Sequence, residues 1–109
     1  MSIRIDDSVI AKVAGSAAIE CFGIVGMSTN SIQEGIIKLL KKENLKQGVN
    51  VYVKDNIIDI DLHVIIASGV NISTVADNLM STVKYNVEDF TGMKVGKIKI
   101  FVEGVKAID

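Results

Sequence analysis

From Val49 to Val64, apolar and polar residues alternate around a two-residue break, and no other stretch constrains the fold as tightly. Val49-Asn50-Val51-Tyr52-Val53 alternates before Asp55-Asn56, and Ile58-Asp59-Ile60-Asp61-Leu62-His63-Val64 alternates after it. Period two on both sides of a polar pair predicts an antiparallel hairpin with one buried face. With the turn at Asp55-Asn56, Val53 pairs with Ile58, Val51 with Ile60 and Val49 with Leu62. On the other face Tyr52 opposes Asp59 and Asn50 opposes Asp61. Slipping by one residue would turn every one of these apolar side chains away from the core, so the register is well specified.

A helix follows. Ile72, Val75, Ala76, Leu79, Val83, Val87 and Phe90 recur at steps of three and four, one stripe at about 3.6 residues per turn. Asn71 or Ser73 suits its N-cap, and Gly92 suits the left-handed position past its end. Lys94 to Glu103 then reads as a returning strand. Ile98, Ile100 and Val102 share one face of it, and Val95, Lys97, Lys99 and Phe101 share the other. The fold expected is an α+β, small two-layer sandwich: a mixed sheet with a central β-hairpin followed by helix and strand, and helices packed on one face.

A chain of 109 residues makes one domain, residues 1–109, able to bury roughly two-thirds of its unfolded surface. The apolar share of 49% supports a folded globule, while 5% aromatic residues and no Trp leave a core of Ile, Val, Leu and Ala. Twelve basic residues against 13 acidic ones give a net charge of −1, which is not the electrostatic footprint of a nucleic-acid binder. One cysteine fits a reducing compartment. Arg4, Asp6 and Asp7 interrupt any signal-peptide run. No window reaches the roughly 20 apolar residues of a membrane span.

Ser2 to Ile5 alternates like a short edge strand. Asp6 caps a helix running to about Cys21, with Val9, Ile10, Val13, Ala14, Ala17 and Ala18 on its buried face. Its many small residues (Ala11, Ala14, Gly15, Ser16, Ala17, Ala18) allow another element to pack close to its backbone, a simpler account than a ligand. Gly23-Ile24-Val25-Gly26-Met27 reads as a short buried strand. The same letters match the GxxG loop of KH domains, but that loop presents polar residues to phosphates, and here the central pair is apolar. Ser31 caps a short helix from Ile32 to about Lys42. Lys38, Lys41, Lys42 and Lys46 form a basic cluster there, diluted by Glu34 and Glu43.

Asp59, Asp61 and His63 are the one constellation with metal-ligand chemistry. On a strand they share a face, at backbone steps of about 7 Å. A metal draws its ligands to about 2 to 2.5 Å, and a flat i, i+2 row splays them apart. A solvated face whose acids oppose Lys54, Lys97 or Lys99 on neighbouring strands is the simpler reading. Cys21 and His63 fall on opposite sides of the layer, so no Cys–His nucleophile forms. No catalytic, cofactor or metal residue is expected. The candidate interaction residues are Tyr52, Asp59, Asp61, His63, Lys97, Lys99 and Phe101, with Ile57, Ile65 and Val95 beside them on the face away from the helices. An aromatic and β-branched set rimmed by both charge signs suits self-association.

Several segments together resemble a known family. Ile5-Asp6-Asp7-Ser8-Val9-Ile10-Ala11-Lys12-Val13-Ala14, Gly23-Ile24-Val25-Gly26-Met27 and Glu43-Asn44-Leu45-Lys46-Gln47-Gly48-Val49 resemble, in order, segments of the alkaline shock proteins of Gram-positive bacteria. Gly69-Val70-Asn71-Ile72, Phe90-Thr91-Gly92-Met93-Lys94-Val95 and Val102-Glu103-Gly104-Val105 continue the series. The similarity is closest to the short YloU-like branch. Two helix starts depart from the family, with Asp6-Asp7 in place of Ser-Pro and Ser73 in place of Pro, and both replacements are compatible with capping. The resemblance implies a cytoplasmic, non-enzymatic protein without cofactors, tied to envelope stress homeostasis. It also implies a homo-oligomer, held near the membrane by a membrane-anchored or envelope-associated protein. The alternatives are a small metal-binding protein on Asp59, Asp61 and His63, or an RNA-binding module on the lysine cluster.

Overall fold

The structure, a computed structural model, describes residues 4–28 and 48–107. Its elements in chain order are α1 (Asp7–Ile19), β1 (Ile24–Met27), β2 (Val49–Lys54), β3 (Ile57–Ala67), α2 (Ile72–Thr91) and β4 (Lys94–Lys106). Strands β2 and β3 form the expected hairpin, and all five predicted cross-strand pairs are present. Asp55 and Asn56 both take positive φ, 55° and 64°. That is the two-residue turn whose twist matches that of the flanking strands, and Asp and Asn are among the residues that tolerate it.

β3 is the centre of the sheet. β2 runs antiparallel along its first half and β1 antiparallel along its second, end to end on one edge. β4 runs parallel along the whole of the other edge, reached through α2. His63 marks the junction of the two short strands. Its N–H donates to the Gly48 carbonyl at 2.8 Å, and its carbonyl accepts from the Ser28 N–H at 2.9 Å.

Helices α1 and α2 lie over the face that carries Ile58, Ile60, Leu62, Val64 and Ile66, all fully buried or nearly so. Each such side chain contributes roughly 1.5–3 kcal/mol by leaving water. From α2, Val75, Leu79, Val83 and Val87 complete this core, while Ile72 and Phe90 at the ends of the predicted stripe are exposed. The Asn71 side chain accepts from the Thr74 N–H at 3.0 Å, and Gly92 closes α2 at φ 72°. α1 ends at Ile19, two residues short of expectation, and packs on α2, β2 and β1. Its buried Ala11, Ala14, Gly15 and Ala18 set that close approach, while Val9 faces out. Of the predicted strand from Ser2 to Ile5, Ser2 and Ile3 lie outside the described residues, and Arg4 and Ile5 pair with no described strand. The predicted helix from Ile32 to Lys42 and the lysines Lys38, Lys41, Lys42 and Lys46 lie outside the described residues.

Two irregularities in β4 correct the reading of its faces. Ile58 pairs with Val95, but Ile60 pairs with Ile98, so Gly96 and Lys97 together oppose Asp59. This bulge moves Val95 to the helix side, where it is buried in the core rather than on the reverse face. Beyond it the predicted alternation of Lys97, Lys99 and Phe101 against Ile98, Ile100 and Val102 holds. A second shift between Val64/Val102 and Ile65/Gly104 leaves Glu103 as the extra residue, and the strand continues to Lys106.

The first bulge has a side-chain cap. Asp59 Oδ1 accepts from the Lys97 N–H at 2.9 Å, and a Cβ on Gly96 would lie 2.7 Å from that same oxygen and 2.8 Å from Ile57 Cγ2. Gly96→Ala is therefore expected to displace the carboxylate and cost about 1–2 kcal/mol, seen as a lower urea midpoint. In an Asp59→Ala background, where the cap is already gone, the same change is expected to cost less.

Among the described residues no helix is long and apolar enough to cross a membrane. α2 has the length, at 20 residues, but carries Asp77, Lys84, Glu88 and Asp89.

Candidate functional site

The reverse face of the sheet, away from the helices, holds all seven candidate residues and divides into an open half and a closed half. The open half lies toward the hairpin turn. Tyr52 on β2, Asp59 and Asp61 on β3, and Lys97 and Lys99 on β4 line a depression of about 350 Å³. Strand order sets its charge pattern: an acidic row on β3 lies beside a basic row on β4, with Asp61 paired to Lys99 in register. Tyr52 is 55% exposed and Phe101 40%.

The charged groups of this half are not used up among the described residues. Asp59 spends one carboxylate oxygen on the Lys97 backbone. Asp61 and the ammonium groups of Lys97 and Lys99 make no side-chain hydrogen bond or ion pair to any described residue. The acids and lysines expected to meet across neighbouring strands are thus adjacent in register yet not bonded.

The closed half lies toward the far end of β3. Ile65, expected on an exposed face, does point away from the helices but is 0% exposed. His63 is 14% exposed and pairs through Nδ1 with Glu103 Oε2 at 2.7 Å; the Glu103 side chain is 10% exposed. Phe101 stacks on the His63 ring, with centroids 4.7 Å apart and planes 10° from parallel. Glu103 Oε1 is buried without a hydrogen-bond partner.

This geometry takes the Asp59-Asp61-His63 row apart. Asp59 turns to the bulge, His63 to Glu103, and Asp61 to solvent. No group of three or more His, Cys, Asp or Glu among the described residues is close enough to hold a metal. Cys21 is buried on the helix side and donates to the Ala17 carbonyl at 3.4 Å, remote from His63 in role and in face. Glu103 is the residue that the sequence reading missed as a partner of His63. Continuing the alternation from Lys97, Lys99 and Phe101 by one more step puts it on this face, and the Gly104 after it is the mark of a bulge.

The whole chain can be placed among known proteins. Residues 1–107 match the model of the alkaline shock protein 23 family, described as having a cell envelope-related function. The protein YloU of Bacillus subtilis (strain 168), itself uncharacterized, is 45% identical over 105 residues, covering 95% of this chain and 88% of that protein. Uncharacterized protein YqhY of the same strain is 29% identical over 104 residues, covering 95% of this chain and 76% of its own length. A stress response regulator gls24 homolog of Streptococcus pyogenes serotype M3 is 28% identical over 101 residues, covering 93% and 56%. No solved structure matches. With nearly full coverage by the family and by its YloU relative, the chain belongs to the alkaline shock protein 23 family, in its YloU-like branch.

Proposed function

We propose that this protein is a non-enzymatic adaptor of the cell envelope stress response that self-associates and docks a membrane-anchored or envelope-associated protein from the cytoplasmic side. The observation that carries the reading is the open half of the reverse face, where exposed Tyr52 lies among charges of Asp61, Lys97 and Lys99 that no described residue pairs, with half-exposed Phe101 at its border. Aromatic residues with a mixed-sign rim are the composition of protein–protein contact surfaces. The stress-response wording belongs to the gls24 relative, and the envelope setting to the family; both support this assignment. The competing metal reading has lost its converging ligands, and a net charge of −1 does not favour RNA.

Tyr52→Ala combined with Phe101→Asp is expected to lower the assembly mass in light scattering while circular dichroism stays native. An unchanged mass would remove this face as the association surface. Cross-linking in the native cell, followed by mass spectrometry, is expected to recover a membrane-anchored or envelope-associated protein.

A further inference from the structure

We propose that the partner on the open half is a second copy of this chain, packed face to face about a two-fold axis parallel to the strands. The inference rests on the self-association just proposed and adds its geometry. β3 lies between β2 and β4, with its acids (Asp59, Asp61) beside the β4 lysines (Lys97, Lys99). A two-fold axis in the interface plane, running along the strands between β3 and β4, exchanges the two rows. The acids of each copy then stand over the lysines of the other. An axis across the strands keeps each row in place and stacks acids on acids and lysines on lysines, which like-charge repulsion forbids. Only the first arrangement makes the face complementary to itself, as a two-fold interface must be.

Two further observations favour a second copy. Asp61, Lys97 and Lys99 make no side-chain hydrogen bond or ion pair to another described residue. The outer edge of β4 is unpaired among the described strands, and the exchange carries each copy's β2, with Tyr52, past that open edge rather than over another strand.

The test uses two single variants of the full chain, Asp61→Lys and Lys99→Asp. Each alone puts like charges across the interface at both symmetry-related places, and its dimer dissociation constant is expected to rise roughly a hundredfold. Mixed in equal amounts, the two variants become complementary. The introduced lysine of one copy then stands over the introduced aspartate of the other, and the retained Lys99 of the first stands over the retained Asp61 of the second. The dimer is expected to return in sedimentation velocity. Raising salt is expected to weaken the wild-type dimer and the mixed pair alike. Singles that keep the wild-type mass would overturn this face as the interface. Singles that dissociate but do not reassemble on mixing would overturn the exchange of rows while self-association stands. A wild type that is monomeric at every concentration would overturn both.

Discussion

Gly48→Val is expected to remove a large part of the native stability, the largest single-residue loss expected in this molecule. Gly48 opens β2 at φ +77°, where a β-branched residue is strained. The space is also taken. A Cβ there would overlap the Ser28 carbonyl oxygen and lie 2.9 Å from that of His63. Both are backbone atoms, held where β1 and β2 meet on one edge of β3, so neither can give way without breaking a strand pair. Strain and overlap together place the cost at about 4 kcal/mol or more, against a total of roughly 5–15 kcal/mol for a domain. Gly69→Val is the control. Gly69 has φ +88° but nothing within 4 Å of an added Cβ, so it loses only the conformational part, about 1–3 kcal/mol. Urea unfolding of the two variants separates these contributions. Equal losses at the two sites would mean that the crowding at Gly48 is without consequence.

The same junction shows why some of this fold was legible in the sequence and some was not. The hairpin could be read residue by residue because alternation and a turn pair are local signals. Val53–Ile58 through Val49–Leu62 followed from counting outward from Asp55-Asn56. α2 and its caps were equally local. That β1 shares an edge of β3 with β2 depends on contacts between distant segments, and nothing in Gly23-Ile24-Val25-Gly26-Met27 names that neighbour. β4 was misread at Val95 for a related reason. Strict alternation assumes an unbroken ladder, and the bulge at Gly96-Lys97 inverts the faces on either side of it. Gly96 was the available signal, since glycine inside a strand marks a bulge or a close approach. The placement of Tyr52, Asp59, Asp61, Lys97 and Lys99 on one face followed from alternation, and together they line one depression. It was overextended at Ile65 and His63, whose burial alternation does not report.

His63→Ala tests that closed half. The substitution removes the only described partner of a carboxylate that is 10% exposed and already has one buried oxygen unbonded. Breaking a buried pair from one side leaves an uncompensated charge, a loss of about 3–5 kcal/mol, and the stacking of Phe101 goes with it. For a domain of this size the melting temperature is expected to fall by roughly 15 °C or more. The double variant His63→Phe with Glu103→Leu is expected to melt at or above the wild type. It removes both polar groups, fills similar space and keeps a ring against Phe101. The double variant being more stable than the single is the diagnostic result, because it shows that the loss comes from the stranded Glu103 rather than from missing atoms. That order also bears on function. The pair ties β3 to β4 at the second bulge, next to the register positions that set Asp61 beside Lys99. If the charge rows are read by a second copy, the double variant should associate like the wild type, since its pair stands outside the docking half. Lost association at native stability would instead extend the docking surface to His63 and Glu103.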